Sequence, residues 1–357
     1  MHGLLIHNRR HASEHVFCGV GSVVTAKVLV VTPGKLGDSL ISLVIPANLA
    51  RAGFDVTVRG DCAHDLASWL PDFRTGPRLS AQEYDRITDE FDFCLIDSQA
   101  PGLQSDGIDA RPELSHRVVF FSLAHHDPSL DGRFNLQELS AEKSALFRDR
   151  IPRKGLIRDK AKSGLTMVEH VVEFCRRELL LKEAHPDIGL MPPQTSEREE
   201  KMRPIVFSPT SGKARKNWLS ERFVLLARQL QDIGHKCVFA VAPSETAEWS
   251  KRLDGQFTLA PTPTIAALAK LLSDARTLVC NDSGAGHLAS ALGTPVVAVI
   301  SRRDSDYTWR PGWGKVKLVS PILPTRALSG LWPYFVSVRQ VRHSLQSFLP
   351  PGGTISE

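Results

Sequence analysis

The chain has 357 residues, of which 42% are hydrophobic and 23% charged, the composition of an ordinary globular protein with room for two domains. Lys and Arg exceed Asp and Glu by 44 to 39, which is compatible with an anionic ligand or a membrane surface. The sequence contains neither zinc-finger spacing nor an RNA-recognition signature, so nucleic-acid binding is not predicted. Six cysteines without a CxxC pair exclude a zinc or disulfide framework and predict a reducing cytoplasm, and no apolar run is long enough to span a bilayer.

The predicted fold begins at residue 27, because residues 1–26 show no periodicity and are interpreted as an extension. Residues 27–32 (KVLVVT) predict a buried parallel strand that leads into PGKLGD and a helix over 39–51. This turn has neither the Walker spacing nor the third glycine of a dinucleotide fingerprint. It does place Asp38 at a helix start, either as a cap or as a carboxylate presented to a substrate.

Alternation of strands and helices continues through the first half of the chain. Strands are predicted over 54–59, 91–97 and 117–121, and helices over 62–70 and 168–181, which together indicate a parallel, doubly wound sheet. Loops 98–115 and 122–136 are long enough to carry acceptor specificity. Between 148 and 162 seven cations face two acids, which indicates a solvated face or a patch for a phosphorylated or membrane-bound acceptor.

The pattern restarts after a polar, proline-rich stretch at 191–203, interpreted as an interdomain linker. Strands over 204–207 and 236–241 and helices over 220–233, 244–253 and 265–272 predict a second Rossmann-like domain. The loop after its first strand carries three closely spaced cations, Lys213, Arg215 and Lys216, beside small hydroxyl residues. Such like charges repel one another, so the loop is either a solvated basic surface or an anion site.

Residues 278–299 (LVCNDSGAGHLASALGTPVVAV) form the most informative stretch: a strand, a glycine turn, a helix and a second strand. Asp282 or Ser283 is the predicted N-cap, and Gly284 and Gly286 would let a phosphate approach the helix start. The alternative is a capping arrangement without a ligand. Loop 302–314 is placed to border a nucleotide base. A last helix over 335–348 is predicted to pack across the domain junction.

Three motifs in this order, PGKLGD, KNWxxERF and NDSGAGHLASALGTPVVAV, resemble glycosyltransferase family 9, the bacterial heptosyltransferases of lipopolysaccharide inner-core assembly. The resemblance covers roughly residues 27–345 and implies an α/β GT-B fold, with two Rossmann-like doubly wound domains facing a central cleft. Residues 27–190 would bind the acceptor, residues 204–332 the nucleotide sugar, and 333–357 would form the helix at the junction. It also implies inverting transfer without a metal or other cofactor.

The resemblance further implies a heptose from ADP-heptose as the transferred sugar and a glycan or glycolipid acceptor, the lipopolysaccharide inner core. The enzyme would work in the cytoplasm, with peripheral contact at the inner face of the cytoplasmic membrane as an option. Asp38 falls on the family's general base and Lys216 on the cation near the donor diphosphate. The other implied donor-binding residues are Thr210, Ser211, Lys213, Asp282, Ser283, Gly284, Ala285, Gly286 and His287, and the implied acceptor-side residues are Gly34, Lys35, Gly37, Arg153 and Lys154.

The chain departs from the family after the strand at 296–299. Where members commonly have a small Gly-Pro-Thr/Ser turn, it reads ISRRD, and Arg302 and Arg303 would also suit a different nucleotide or sugar. Two alternatives therefore stay open. One is a GT-B enzyme using a UDP-sugar, as a transferase or an epimerase. The other is a non-catalytic nucleotide- or carbohydrate-binding protein.

Overall fold

The computed structural model describes residues 25–103, 114–125, 134–162, 164–192, 203–301, 307–321 and 330–349. The predictions for residues 1–24, for most of the linker and for the arginine pair at 302–303 lie outside these ranges. Residues 25–192 are called the first half here, and residues 203–349 the second half.

The first half is built on one sheet of five parallel strands. They are β1 Lys27–Val31, β2 Asp55–Arg59, β3 Arg74–Gly76, β4 Phe93–Asp97 and β5 Val118–Phe121. The order is β3-β2-β1-β4-β5, and the register sets Val31 of β1 opposite Ile96 of β4. β4 and β5 are buried along their whole length, which explains their continuous apolar sequence.

Helices cover this sheet. They are α1 Leu36–Ser42, α2 Val44–Arg51, α3 Asp61–Asp65, α4 Ala81–Ile87, α5 Ala141–Phe147 and α6 Met167–Arg177. The single helix predicted over 39–51 is thus two helices that meet at Leu43. Pro46 explains the break, because its nitrogen has no hydrogen for the carbonyl of Ser42 and is tolerated only in a first turn.

The second half repeats the design with six parallel strands. They are β6 Ile205–Ser208, β7 Cys237–Phe239, β8 Thr258–Leu259, β9 Thr277–Asn281, β10 Val296–Val299 and β11 Val316–Val319. Their order is β11-β10-β9-β6-β7-β8. The helices are α7 Ser220–Gln231, α8 Thr246–Leu253, α9 Ile265–Ser273, α10 Gly284–Ala291 and α11 Val338–Gln346.

The final helix differs from its prediction in place as well as in length. Val341 and Leu345 of α11 are buried in the same apolar cluster as Phe223 and Leu226 of α7. The helix also contacts β10 and β11. It therefore covers the second sheet, whereas the sequence predicted packing across the junction.

A continuous apolar core joins the two halves. One cluster of buried side chains includes Val28 and Val30 of β1, Leu278 of β9 and Leu288 of α10. Polar contacts cross the same junction, since Asp65 accepts a hydrogen bond from the Ile265 N–H at 3.1 Å. The halves thus meet over a buried surface. Within the described ranges, no helix is long and apolar enough to cross a membrane.

Candidate active site

Each sheet has a point at which the strand order reverses direction, between β1 and β4 in the first and between β6 and β9 in the second. Ligands of open parallel sheets bind outside the carboxyl ends of the strands at such points. The helices that follow β1 and β9, α1 and α10, pack against each other. The two crevices therefore face one another, and most of the predicted site residues lie around them.

Asp38 lies in the first turn of α1, directly after β1. It does not cap the helix, because the N-cap position belongs to Lys35, whose side chain makes no capping bond. Lys35 Nζ lies 4.0 Å from Asp38 Oδ2. Burial raises the pKa of Asp38 above its ordinary value, while the charges of Lys35 and Lys216 oppose the rise and that of Asp282 adds to it. Burial and Lys35 therefore act first on this carboxylate, and two charges of the second half, Lys216 and Asp282, add smaller effects.

Lys216 and Asp282 form an ion pair at the second crevice. Lys216 Nζ lies 2.7 Å from Asp282 Oδ2, with 37% and 16% of the two side chains exposed. Tyr307 donates its hydroxyl hydrogen to the same oxygen at 2.6 Å. The lysine has three N–H donors, so this pairing leaves it able to bind an anion at the mouth of the crevice.

Asn281, at the end of β9, holds the basic loop 208–217 in place. Its fully buried side chain accepts the Trp218 N–H at 2.8 Å and donates to the Pro209 carbonyl at 2.6 Å. Ser211 closes the loop by donating to the Asn217 side-chain oxygen at 2.6 Å. The amide thus fixes both ends of the segment that carries Lys216.

Other predicted residues of this loop differ from one another in exposure. Thr210 is partly buried next to the end of β6, and Lys213 is exposed on the outer turn together with Arg215. The structure thus brings Lys216, and not the whole cation cluster, to Asp282.

The start of α10 is packed tightly against the first half. Ser283 is the N-cap residue, and among the described residues its side chain makes no capping hydrogen bond. An added Cβ on Gly284 would lie 2.8 Å from Leu36 Cβ, and one on Gly286 would lie 3.1 Å from Cys280 Sγ. Ala285 between them is buried. Close packing therefore requires glycine at position 284 and leaves little room for a larger residue at position 286.

His287 connects α10 to the loop that carries Asp38. The ring is buried, and an added Cβ on Gly37 would lie 2.9 Å from His287 Cδ2. Burial lowers the pKa of His287 to about 4, so the imidazole is neutral at pH 7. It bonds to the backbone of Trp309, and its buried Nδ1 has no hydrogen-bond partner within the part of the chain that the structure describes.

Asp97 is a buried carboxyl that the sequence analysis did not select. It ends β4, one strand from Asp38, and only 1% of it is exposed. Burial raises its pKa to about 7, opposed by the hydrogen bond that the Gln99 N–H donates at 2.7 Å and reinforced by the charge of Asp38. An aspartate closing the otherwise apolar strand FCLID is the pattern that could have identified it.

The predicted acceptor-side residues fall into two groups. Gly34, Lys35 and Gly37 form the turn before Asp38, and an added Cβ on Gly34 would lie 2.8 Å from Pro101 Cγ. Arg153 and Lys154 are exposed and lead into residues 155–158, which pair with the chain just after β5. They share the sheet edge with Asp38 but lie beyond β4 and β5. The structure therefore does not bring them to the carboxylate.

Comparison with known families decides what kind of protein carries this site. The family model described as "Glycosyltransferase family 9 (heptosyltransferase)" matches residues 140–320, just over half of the chain. The chain belongs to glycosyltransferase family 9. The matched part of this glycosyltransferase contains the Lys216 loop and the start of α10, whereas the Asp38 turn lies upstream of it. A search of curated proteins gave no match.

Solved structures show the same fold over 90% of this glycosyltransferase. E. coli ADP-heptose heptosyltransferase II is 17% identical, with a TM-score of 0.61 over 90% of this chain and 98% of that one. E. coli heptosyltransferase WaaC with ADP-2-deoxy-2-fluoro heptose is 18% identical, with a TM-score of 0.58 over 90% and 100%. A family 9 enzyme from Veillonella parvula is 15% identical, at 0.58 over 90% and 97%. The fold is therefore GT-B-like, with two parallel sheets.

Proposed function

We propose that this glycosyltransferase moves a sugar, heptose from ADP-heptose, to a glycan acceptor of the lipopolysaccharide inner core, with inversion at the anomeric carbon. One observation carries the proposal: Asp38 of the first half lies within electrostatic reach of the Lys216–Asp282 pair of the second half. A carboxylate and a cation on opposite sides of a crevice suit a reaction that removes a proton at one end and develops negative charge at the other.

Asp38 acts on the acceptor in this proposal. The acceptor hydroxyl oxygen attacks the anomeric carbon, its proton passes to Asp38, and the bond from the anomeric carbon to the diphosphate oxygen breaks. Attack opposite the leaving group inverts the anomeric centre. Because burial raises the pKa of Asp38, its ionised form is a stronger base than an ordinary aspartate.

Lys216 and the start of α10 act on the leaving group. Charge builds up on the nucleoside diphosphate as the bond breaks, and a lysine ammonium with the N–H groups of a helix start can stabilise it. Those groups take the place that a divalent cation holds in other diphosphate chemistry, so we propose that transfer proceeds without a metal. Retained turnover in a chelator is the expected result.

The donor proposal draws support from the family. E. coli WaaC has been solved with ADP and with ADP-2-deoxy-2-fluoro heptose, and its fold is similar to this one. The proposed division has residues 27–190 holding the acceptor and residues 204–332 the donor. The exposed cations Arg153 and Lys154, at the same sheet edge as Asp38, support an anionic glycolipid acceptor met at the inner face of the cytoplasmic membrane.

Isothermal titration with ADP, UDP and GDP, each with chelator present, tests the donor proposal. Binding of ADP alone is expected. Preference for UDP would move the reaction to another nucleotide sugar on the same site. If none of the three binds, the protein does not use the donor site proposed here and a non-catalytic role replaces it.

Substitution of Asp38 tests the chemistry. Asp38→Asn keeps the shape of the side chain and removes the base, so turnover should fall by about 10²- to 10⁴-fold while ADP affinity stays unchanged. The stereochemistry of the wild-type product, read by NMR at the anomeric proton, should be opposite to that of the donor. Asp85→Asn, on the exposed face of α4, is the matched control and should keep full turnover. Near-normal turnover by Asp38→Asn would remove this residue from the reaction.

A further inference from the structure

The segment over residues 307–313 ties the second half to the first. The carbonyl of Thr308 accepts the Met167 N–H at the start of α6 at 2.8 Å. The Arg310 guanidinium donates to the Gly164 carbonyl at 2.7 Å, and the Trp313 indole donates to the Pro186 carbonyl at 2.8 Å. Residues 307–313, called here the bridging segment, therefore belong to the second half in sequence and are hydrogen-bonded to the first half.

The bridging segment is held close to α6 by more than hydrogen bonds. An added Cβ on Gly312 would lie 2.5 Å from Val168 Cγ2, so this position accepts only glycine without movement. Arg310 also donates to the Tyr307 carbonyl at 3.0 Å, which fixes the backbone at the start of the segment. The ring of Tyr307 packs on the apolar core that the two halves share. Tyr307 is therefore anchored independently of the donor loops.

From this anchored position Tyr307 reaches the ion pair. Its hydroxyl donates to Asp282 Oδ2 at 2.6 Å, the same oxygen that pairs with Lys216 Nζ at 2.7 Å. An oxygen that already accepts a strong hydrogen bond attracts a second donor less, because part of its charge is compensated. The tyrosine thus both immobilises Asp282 and weakens its hold on the lysine.

We propose that Tyr307 is a positioning residue of the donor site, which holds Asp282 so that Lys216 stays oriented and available for the donor diphosphate. This inference rests on the proposed function, since it takes a nucleoside diphosphate as the anion at Lys216. The family motifs do not include this residue. It follows the part of the chain that departs from the family pattern, and it acts through Asp282 without touching the reacting atoms.

Tyr307→Phe isolates the hydroxyl, because phenylalanine keeps the ring and its packing on the shared core. Without the hydroxyl, that oxygen of Asp282 keeps Lys216 as its one partner among the described residues, so the internal pair tightens and the aspartate gains freedom. ADP should bind about tenfold more weakly by isothermal titration, as expected for loss of one hydrogen bond to a charged group. Acceptor KM and the thermal midpoint should stay at their wild-type values.

The chain offers a matched control in Tyr334, whose side chain is 60% exposed. Tyr334→Phe removes the same atom and should leave ADP binding unchanged. If Tyr307→Phe binds ADP as tightly as wild type and Tyr334→Phe, the inference is overturned while the proposed function stands. If wild type binds none of ADP, UDP and GDP, the proposed donor site fails and the role of Tyr307 fails with it.

A double-substitution cycle asks whether Tyr307 acts through Asp282. In an Asp282→Ala background the hydroxyl has no carboxylate to hold, so Tyr307→Phe should cause no further loss of ADP affinity. Equal losses from Tyr307→Phe in the presence and absence of the carboxylate would show that the hydroxyl contacts the nucleotide itself. That result would overturn the positioning role.

Discussion

At the scale of single residues, burial decides how the carboxyl groups of the first crevice behave. Asp38 keeps part of its side chain in solvent and has two cations nearby, whereas Asp97 is enclosed at the end of β4. The enclosed carboxyl is the one whose pKa rises to about 7. Folding therefore favours the protonated form of Asp97, in contrast to an aspartate held in an ion pair.

This burial predicts an unusual dependence of stability on pH. Between its ordinary pKa of 3.8 and about 7, Asp97 binds more protons in the folded chain than in the unfolded one, so the free energy of unfolding falls as the pH rises through that window. Asp97→Asn removes the ionisation and keeps an oxygen for the Gln99 N–H. The variant should be more stable than wild type at pH 8, by at most about 4 kcal/mol, and nearly equal to it at pH 4.

Denaturant unfolding at pH 4 and pH 8 measures this difference. Asp85→Asn, an exposed aspartate on α4, serves as the control and should track wild type at both pH values. If the free energies of unfolding of Asp97→Asn and wild type differ by the same amount at pH 4 and pH 8, Asp97 ionises like an exposed carboxyl group. Burial then does not raise its pKa.

Individual residues also mark the limit of prediction from sequence. Asp38 and Lys216 could be singled out because each stands in a motif with a defined spacing, after a strand and before a helix. Tyr307 could not, because its role depends on a hydrogen bond to a residue 25 positions away that only the folded chain brings near. Asp97 was not selected because it belongs to no motif with a defined spacing. Its place at the end of an apolar strand was the one signal that the sequence offered.

At the scale of elements, the contact between α1 and α10 is what brings the two crevices together. Gly37 faces the buried ring of His287, and Gly284 faces Leu36, so each helix start carries a glycine where the other helix approaches. Glycines read from the sequence as phosphate-binding positions thus also serve to let two helices approach closely.

Gly37→Ala should disturb this contact. The new methyl group would lie 2.9 Å from His287 Cδ2, and the buried ring has to move, at a cost of about 1–3 kcal/mol. Both the thermal midpoint and turnover should fall, because Asp38 is the next residue. Gly330→Ala adds the same group where nothing lies within 4 Å, and it should leave both quantities unchanged. Full activity in Gly37→Ala would show that the contact tolerates a shift without consequence for the base.

The elements themselves were predictable where the pattern was long. Alternation of apolar strands and amphipathic helices indicated two doubly wound sheets, and both are present. Strands β3 and β8 have three and two residues, which is too short for an alternating pattern to be recognised. The helix break at Leu43 was missed because it depends on Pro46, in a stretch whose pattern is otherwise helical. α11 was predicted as a helix but misplaced, because its amphipathic face says nothing about which sheet receives it.

At the scale of the whole molecule, the proposed function assigns exposed cations of the first half to the acceptor and the Lys216–Asp282 pair of the second half to the donor. Arg153 and Lys154 are exposed at the edge beyond β5, away from the Lys216–Asp282 pair. An anionic acceptor that reaches Asp38 from that side would pass these cations first, whereas a donor on the second half would not meet them. Reversal of both charges should therefore affect one substrate and spare the other.

The double variant Arg153→Glu with Lys154→Glu is expected to raise the acceptor KM about five- to tenfold and to leave ADP affinity unchanged, because two attractions become repulsions in a solvent-screened setting. The increase should shrink as salt is added, since ions screen exposed charges over about 10 Å at 0.1 M. Lys236→Glu with Lys251→Glu makes the same change in net charge on exposed positions of the second half and should leave the acceptor KM at its wild-type value. If both double variants shift the acceptor KM equally, net charge alone attracts the acceptor and the basic segment is a solvated face. If neither shifts it, the acceptor approaches Asp38 by another side of the crevice.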